Sequence, residues 1–391
     1  MTFSPLSGVV VLDLSRYLPG PFLTRILTDL GADVWKVEPP QGDPLRWMPP
    51  LADATGGAFA SLHAGKRSVV LDLKRSEAVA VLRAMAARAD VLIESNRPGV
   101  LARLGLAPEA LWAVNPALII ASLSGFGQHG PRAQEAGHDL GYQALSGALA
   151  EAGPAGAAPW PTSVQVADLA GGAWPAAVGI LGALREREQT GRGRHLDISL
   201  ARGAFALTTL SAALADAGVQ PLPGEGALTG ALPCYRCYRT ADGRSLSVAA
   251  LEPQFWARVC AVLGRPDWVD RGLATGEDGA ALIEALQALF LEHPLAVWVA
   301  RFEGVDACVA PVATLTEAMS DPTFSPLIDR STGTLVVRAE LGAPGELPTL
   351  QPVPALGGDQ EAAWAAFGVP ATLVDAAAAA GAWPTSGVQP G

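Results

Sequence analysis

The sequence is poor in charged residues and in the residues that bind metals or form disulfides. Only 17% of its 391 residues are charged, and it contains five histidines and four cysteines. Cys234 and Cys237 form one CxxC spacing, but no second CxxC or histidine pair completes a set of four zinc ligands. Cys260 and Cys308 stand apart from them. We therefore expect reduced thiols, no metal site and no structural disulfide.

Positive charge is also scarce, since 27 Lys and Arg residues face 38 Asp and Glu residues, for a net charge of −11. This balance argues against nucleic acid or an anionic membrane as the main partner, because both bind clustered cations. No uncharged stretch reaches the ~18–20 residues of a spanning helix. The start, MTFSPLSGVVVLDLS, lacks the basic region and cleavage site of a signal peptide. We expect a cytoplasmic protein whose anionic ligands are held by a local basic pocket.

What the sequence does contain is an alternation of strand and helix patterns. Short apolar runs alternate with helical spacings, as in FLTRILTDLG (22–31) and EAVAVLRAMAAR (77–88). The strand-like runs are VVVLDLS (9–15), ADVWKVE (32–38), SVVLDL (68–73), DVLIES (90–95), ALIIASL (117–123) and HLDISL (195–200). A long Ala- and Gly-rich helix is predicted over 168–189. The pattern predicts an α/β fold with a Rossmann-like parallel sheet covered on both faces.

The length predicts more than one domain, since single cores stop growing near ~250–300 residues. The composition changes to PLPGEGALTG at 221–230, and a hairpin with Asp242-Gly243 as its turn follows. Helices are predicted near 253–264, 280–291 and 294–303. We predict a large domain over 1–215, a smaller α+β domain over 216–325 and a C-terminal segment over 326–391.

Two glycine loops, LPGPF (18–22) and SGFGQHGP (124–131), follow predicted strands, where sheets of this kind bind ligands. Neither is GxGxxG, so a nicotinamide or flavin dinucleotide is not indicated. One histidine, His138, stands in the stretch GHDLGY. A histidine beside an acid is more often structural than catalytic when it stands alone, so its role depends on the rest of the chain.

The ordered motifs closely resemble the class III CoA-transferase (CaiB/BaiF) family. They are GVVVLDLSRYLPGPF, LTDLGADVWKVEPPQGDP, GKRSVVLDLK, RPGVLARLGL, SGFGQHGP, GHDLGYQALSGAL and TGRGRHLDISL, and the resemblance covers residues 5 to 320. It implies an interlocked homodimer whose chains each carry a large and a small domain, with the C-terminal segment returning to the large domain. It also implies an acyl-CoA substrate and no cofactor beyond the CoA moiety.

Within the family the resemblance is greatest to the α-methylacyl-CoA racemases. In the transferases, an aspartate at the position of Asp168 is the nucleophile that carries the acyl group. The racemase pattern adds GHD, here Gly137-His138-Asp139, and an EPQF segment beginning at Glu252. Racemisation needs two acid/base groups flanking the carbon α to the thioester.

The resemblance therefore implies three catalytic residues. His138 takes the α-proton from the start of a helix over 140–149, where the helix dipole favours neutral imidazole. Asp168 is the opposing group, with its pKa raised by burial. Glu252 of the partner chain orients the imidazole.

Three activities stay open at this point. The first is racemisation of 2-methyl-branched acyl-CoA, and the second is CoA transfer to a carboxylic acid through an aspartyl intermediate on Asp168. The third is a non-catalytic CoA-binding protein. No compelling second cation is evident for an acidic substrate. The segment LTGALPCY (228–235) departs from the racemase pattern LDGGAP, so the acyl chain is not indicated.

The CoA moiety needs basic and apolar residues near the strand ends. The resemblance places Leu71, Leu73 and Lys74 along the adenine and ribose and Arg103 on the phosphates. Where racemases often have an arginine, this chain has Glu38-Pro39-Pro40, so one phosphate contact is lost or passes to Lys36. The remaining expected ligand contacts are Arg97, Gly137, Asp139 and Tyr142, and N–H groups of the turn 137–140 are the expected oxyanion donors. The other histidines, His63, His129, His195 and His293, are expected in loops or on the surface.

Overall fold

The computed structural model describes residues 2–52, 55–342 and 345–384. The chain forms two compact units. The first comprises Met1–Ser146, Val164–Leu207 and Pro322–Gly391, and the second comprises Gly147–Ser163 and Thr208–Asp321. The boundaries thus follow residues 207 and 321, where the sequence suggests 215 and 325. Residues 147–163 belong to the second unit although they lie within the sequence range of the first. This could not be predicted, because their Gly- and Pro-rich composition is typical of any loop.

A six-stranded sheet forms the centre of the first unit, and all its strand pairs are parallel. Its strands are β1 Val10–Asp13, β2 Asp33–Glu38, β3 Arg67–Val70, β4 Val91–Glu94, β5 Ile119–Ser124 and β6 His195–Ser199. The order across the sheet is β3-β2-β1-β4-β5-β6. The predicted α/β fold with a parallel sheet is confirmed, and its strand order is that of a doubly wound Rossmann sheet.

The helices of the first unit connect or flank these strands. They are α1 Pro19–Asp29, α2 Gly57–His63, α3 Ser76–Ala86, α4 Val100–Arg103, α5 Pro108–Trp112, α6 Asp139–Leu145, α7 Val166–Asp168, α8 Trp174–Thr190, α9 Leu200–Ala206, α15 Gln360–Phe367 and α16 Ala371–Ala379. Two-residue strands pair Leu51–Ala52 with Thr55–Gly56 and Ile328–Asp329 with Val336–Val337, and 3-10 turns cover Pro44–Trp47 and Ser325–Leu327.

Successive strand residues point to opposite faces of the sheet and build two separate cores. Val11 and Ile93 lie in the core that contains residues of α1 and α8. Leu12 and Trp35, neighbours across β1 and β2, lie in the core that contains residues of α3 and of the C-terminal helices. Phe367 of α15 meets Trp35 edge to face, with ring centroids 5.2 Å apart. The C-terminal segment therefore contributes to the first unit's core.

The helix predicted over 168–189 is interrupted. A π-helical turn, Leu169–Ala173, separates α7 from α8. Pro175 lies at the start of α8 and has no N–H to donate to the carbonyl of Gly171, so a regular α-helix cannot continue there. Asp168 is the last residue before this turn. Single π turns inside helices are frequent at functional sites.

The combined run Val166–Thr190 is long and apolar enough, by length and composition, to cross a membrane. In its most apolar window, 44% of the residues are buried inside the fold. A bent helix pair, Gly276–Phe290 with Leu295–Phe302, reaches the same apolarity only if its two parts are joined. The expected cytoplasmic location stays a prediction.

The second unit contains a three-stranded antiparallel sheet flanked by helices. Its strands β7 Tyr235–Arg239, β8 Ser245–Ala249 and β9 Val309–Pro311 lie in the order β9-β8-β7. The predicted turn joins β7 and β8, with Gly243 at φ +76°, a value that favours glycine. Its helices are α10 Thr209–Asp216, α11 Pro253–Val262, α12 Gly276–Phe290, α13 Leu295–Phe302 and α14 Leu315–Ser320, with a π turn at Ala227–Ala231 and a 3-10 helix at Pro266–Arg271. Three buried tryptophans, Trp256, Trp268 and Trp298, centre its core.

Two of the histidine expectations are wrong. His63 is fully buried at the end of α2, where its ring stacks on Phe59 at 4.2 Å. His195 lies in strand β6, half-buried, with Nε2 3.0 Å from the Ser122 hydroxyl. The Ser122 hydroxyl gives the half-buried ring of His195 a hydrogen-bond partner, whereas Nε2 of His63 is buried without one among the described residues.

Candidate active site

Doubly wound sheets bind ligands in a crevice at the carboxyl ends of their strands, and in this sheet the crevice lies at β1 and β4. The strand order reverses between these two strands, so the connections that follow them diverge and leave an opening. Arg16 and Tyr17 follow β1, and Asn96 and Arg97 follow β4. A cavity of about 450 Å³ opens at this point and has all four residues in its wall.

This cavity, called here the catalytic cavity, also contains five of the predicted site residues. Its wall includes Arg97, Gly137, His138, Tyr142 and Asp168. These residues come from β4's following loop, from the start of α6 and from the end of α7. The fold thus brings together residues that are up to 71 positions apart in the sequence, between Arg97 and Asp168.

His138 caps the N-terminus of α6 in an extended backbone conformation, with φ −135° and ψ 169°. Its carbonyl accepts the N–H groups of Gly141 and Tyr142 at 2.8 and 3.1 Å. Its side chain is exposed and makes no capping bond. The backbone is therefore fixed while the imidazole is left to meet a ligand. The helix begins where the sequence predicts it but is shorter, ending at Leu145.

Asp168 is half-buried at the end of α7. Its backbone N–H donates to Oδ1 of Asp139 at 3.0 Å, and Oδ2 of Asp139 accepts from Gln143 at 2.6 Å. Burial, and secondly the charge of Asp139, raise the pKa of Asp168 to about 7. The direction agrees with the prediction from sequence. A carboxyl group with this pKa is divided between its acid and base forms near neutral pH.

Two glycines hold the segment carrying Asp168 against α9. A Cβ atom on Gly203 would lie 1.7 Å from the carbonyl oxygen of Gly171, and one on Gly171 would lie 2.6 Å from the backbone nitrogen of Ala204. Backbone meets backbone here, and only glycine permits that approach. The position of Asp168 therefore depends on two residues without side chains.

Tyr142 forms one wall of the catalytic cavity. A Cβ atom on Gly125 or on Gly137 would lie 2.5 Å from atoms of its side chain, so the ring fits between two glycines. Phe126 meets the ring edge to face at 5.3 Å. Burial, followed by the charge of Asp168, raises the pKa of Tyr142. The phenol therefore stays protonated at neutral pH and keeps a proton to donate.

A second cavity of about 240 Å³ adjoins the catalytic cavity, because Arg16 and Asn96 line both. It is called here the adenine cavity, after the expectation from the family resemblance that Leu71, Leu73 and Lys74 lie along the adenine and ribose of CoA. Four residues predicted to contact CoA are in its wall, Lys36, Leu71, Leu73 and Lys74. Its apolar wall is completed by Leu14, Val37, Val100, Leu101 and Leu104. This mixture suits a flat, uncharged ring with charged groups at its edge.

Two of the predicted phosphate contacts have less favourable positions. The Lys36 side chain is 1% exposed, and its Nζ lies 3.2 Å from Asp43 and 3.8 Å from Asp13. It also donates to the carbonyl oxygen of Ser15. Arg103 is exposed at the end of α4 and lines neither cavity. Contacts of Lys36 and Arg103 with phosphate stay predictions.

The sequence interpretation missed Arg16 and Asn96. Asn96 is fixed by Glu94, whose Oε2 accepts from its backbone N–H at 2.7 Å and from its side chain at 3.1 Å. Both residues directly follow predicted strands, a position that indicates a ligand contact in sheets of this kind. The position singles out Arg16 and Asn96 only when β1 and β4 are known to be neighbours. Arg16 is a second arginine, beside Arg97, in the wall of the catalytic cavity.

Glu252 belongs to the second unit, where it precedes Pro253 at the start of α11. Its carboxylate is exposed and makes no capping bond. In the part of the chain that the structure describes, no hydrogen bond or ion pair engages it. The side chain is therefore available to another group.

Comparison with known proteins agrees with this architecture. The model of CoA-transferase family III matches residues 6–366. The chain is 41% identical to α-methylacyl-CoA racemase of Mus musculus over 315 residues, which is 80% of this chain and 79% of that protein. It is 34% identical to succinyl-CoA:glutarate CoA-transferase of Mus musculus, covering 82% of this chain and 74% of that protein.

A solved structure agrees as well. A CaiB/BaiF family protein from Brucella suis superposes with a TM-score of 0.83 at 29% identity, covering 94% of this chain and all of that one. The Rossmann-type strand order, the cavity at its reversal point and these likenesses lead to the same assignment. The chain is an enzyme of CoA-transferase family III.

Proposed function

We propose that the protein racemises 2-methyl-branched acyl-CoA thioesters by removing and returning the α-proton. The observation that carries this proposal is the shared cavity of His138 and Asp168, together with the pKa of about 7 for Asp168. Proton transfer at neutral pH is most effective when the donor and acceptor have pKa values near the operating pH. The 41% identity to a racemase supports the same choice.

In the proposed reaction, one group removes the α-proton and the other returns a proton to the opposite face. With His138 as the base, the imidazole takes the proton while protonated Asp168 gives its own to the enolate carbon. The reverse direction exchanges these roles. Each turnover leaves His138 protonated and Asp168 ionised, so both groups exchange protons with water before the next turnover in the same direction. No redox reagent enters the balance.

The intermediate is an enolate, and its oxygen needs hydrogen-bond donors. The N–H groups of Asp139 and Leu140 begin α6 beside His138, and we propose them as these donors. Within the described residues, neither N–H group has an acceptor. The CoA moiety of the substrate is the only cofactor in this proposal, and no step involves a metal.

The alternative is CoA transfer to a carboxylic acid through an acyl intermediate on Asp168. Arg97 favours it, because its guanidinium lines the catalytic cavity and makes no ion pair or hydrogen bond to any described residue. A free acid has a carboxylate that such a group binds well. The raised pKa of Asp168 counts against this alternative, because nucleophilic attack needs the carboxylate form.

The experiment that separates these activities is α-proton exchange. The protein is incubated with (2S)-2-methylacyl-CoA in heavy water without any acid acceptor, and deuterium at the α-carbon is followed by mass spectrometry. Racemisation predicts incorporation with loss of chirality. His138→Ala should abolish exchange and spare any transfer, whereas Asp168→Ala should damage both. If the protein binds CoA but shows no α-proton exchange, racemisation is excluded and CoA transfer through Asp168 becomes the proposed activity.

We further propose that the protein acts as an interlocked homodimer in which Glu252 of the partner subunit orients His138. Helix α10 supports a covering partner, because none of its residues is buried and Leu210 and Leu214 are 58% and 39% exposed. An apolar helix with no buried face normally packs against another surface. The unpartnered Glu252 carboxylate supports the same arrangement.

Mixed dimers test this arrangement. A His138→Ala chain and a Glu252→Ala chain, with different tags, are coexpressed, and the mixed species is purified. If Glu252 acts on the partner's site, one of the two sites has both residues intact and exchange is recovered. If Glu252 acts within its own chain, each site carries one defect and the mixed species stays inactive.

A further inference from the structure

We infer that Arg16 binds the diphosphate of the CoA moiety where the adenine cavity meets the catalytic cavity. The inference rests on the proposed CoA thioester substrate. Racemases often have an arginine where this chain has Glu38-Pro39-Pro40. We assign the phosphate contact of that missing arginine to Arg16.

The position of Arg16 is the first argument. It lines both cavities, as Asn96 does, so it stands where a ligand passes from one to the other. In CoA the diphosphate joins the adenosine to the pantetheine arm that ends in the thioester. A molecule with its adenine in one cavity and its thioester at His138 therefore has its diphosphate between them. A guanidinium offers paired N–H donors that match phosphate oxygens.

The availability of the side chain is the second argument. Arg16 is exposed, and among the residues that the structure describes no carboxylate or carbonyl accepts from its guanidinium. The acidic residues of the adenine cavity are already engaged. Glu38 accepts from Arg46 at 2.6 and 2.7 Å, and Asp43 lies 3.2 Å from Lys36. Arg16 is therefore free to bind an anion without first breaking an ion pair.

The backbone around Arg16 is fixed on both sides. Its N–H donates to the Ser95 hydroxyl at 3.0 Å, which ties the loop after β1 to the loop after β4. The preceding residue, Ser15, donates its N–H to Asp13 at 2.9 Å, and its carbonyl accepts from Lys36. The following residue, Tyr17, has φ +62°, a left-handed conformation that a tyrosine rarely adopts. Such a conformation persists only where the surroundings hold it.

This arrangement gives Lys36 a different role from the predicted phosphate contact. Its ammonium is buried among Asp13, Asp43 and the carbonyl of Ser15, so it contacts the loop after β1 from the protein interior and not from the cavity. Lys36 is a positioning residue that holds the turn, and Arg16 is the residue of that turn that meets the ligand.

Calorimetric binding of CoA and of dephospho-CoA tests the inference with the full-length Arg16→Ala variant. Both ligands contain the diphosphate, neither carries an acyl group, and only CoA has the 3′-phosphate. We expect Kd to rise about ten- to one-hundred-fold for both ligands, the usual effect of losing a hydrogen bond to a charged group. Arg16→Lys should recover part of the affinity, because it restores the charge but not the paired donors.

Arg185→Ala is the matched control, because Arg185 is exposed, pairs with Glu188 and lines neither cavity. Its Kd values should equal those of the wild type. A loss confined to CoA would assign Arg16 to the 3′-phosphate and overturn the inference, as would unchanged binding of both ligands. A wild-type protein that binds neither ligand would overturn the proposed function as well. Thermal unfolding of each variant confirms that it is folded.

Discussion

Oδ1 of Asp139 accepts a hydrogen bond from the backbone N–H of Asp168 at 3.0 Å. One carboxylate thereby joins the start of α6, next to His138, to the end of α7. The same carboxylate contributes, after burial, to raising the pKa of Asp168 to about 7. Asp139 therefore fixes the position of the opposing acid and adjusts its proton affinity.

Replacing Asp139 by asparagine should separate these two effects. The asparagine side chain keeps an oxygen that accepts the Asp168 N–H but removes the negative charge, so the pKa of Asp168 should fall. We expect the limb of the pH profile of α-proton exchange that reports Asp168 to shift to lower pH. Asp139→Ala, which also removes the acceptor, should lower kcat as well. An Asp139→Asn profile identical to that of the wild type would contradict a charge effect.

Asp168 should make stability depend on pH. Its pKa rises from 3.8 to about 7 on folding, so between these pH values the folded state holds a proton that the unfolded state has lost. The free energy of unfolding therefore falls as the pH rises through this window. The stability difference between Asp168→Asn, which cannot ionise, and the wild type should grow in favour of the variant by ~1–3 kcal/mol between pH 5 and pH 8.

Urea unfolding at the two pH values measures this difference. Exchange activity should be lost in the same variant at both. An equal stability difference at pH 5 and pH 8 would mean that ionisation of Asp168 is not its cause.

Gly203→Ala should disrupt the segment that carries Asp168. The new methyl group would lie 1.7 Å from the carbonyl oxygen of Gly171. Because Gly171 belongs to the π turn, relieving this clash requires the π turn to move. Overpacking of this kind typically costs ~1–3 kcal/mol or more. We expect a lower Tm and loss of exchange.

Gly182→Ala provides the matched control for that change. Gly182 lies in α8, the helix that follows the π turn, and nothing stands within 4 Å of the position that a Cβ atom would take there. Alanine in a helix interior should stabilise the protein by up to ~1 kcal/mol relative to glycine. Loss of activity in this control, with Gly203→Ala active, would show that the close approach is not what fixes Asp168.

Asp29 is the buried partner of two arginines, Arg25 and Arg338, and the second comes from the C-terminal segment. The Nε of Arg338 lies 2.6 Å from Asp29 Oδ1. Asp29→Asn leaves a buried charge without its counterion, which typically costs ~3–5 kcal/mol. Urea unfolding should show this loss. Glu188→Gln, which breaks an exposed pair with Arg185, should change stability by less than ~1 kcal/mol.

The strands illustrate what could be predicted from sequence. The apolar runs 90–95 and 117–123 became fully buried strands within two residues of their predicted limits, because hydrophobic periodicity reports directly which residues leave water. The run 68–73 was less accurate, since its strand ends at Val70. The helix predicted over 168–189 was less accurate. Its composition is helical throughout, and the effect of Pro175 on the carbonyl of Gly171 depends on how the chain packs there.

Some residues of the candidate site could be predicted from the sequence, and others only from the structure. The motif containing His138 and the position of Asp168 are visible in the sequence, since they resemble a family pattern. Arg16 is not, because its importance depends on the loop after β1 lying beside the loop after β4. Lys36 appears in the sequence as a basic residue near a strand end, and only the structure shows that Asp13 and Asp43 surround its ammonium.

The sequence by itself determined the elements of the large sheet, the family and the residue types available for proton transfer. These depend on local patterning and on motifs that are contiguous in the chain. The tertiary structure alone decided the strand order, the junction at Arg16 and Asn96, and the contribution of Asp139 to the raised pKa of Asp168. Each of these arises from groups distant in sequence that meet in space, where burial and neighbouring charge change what a residue can do.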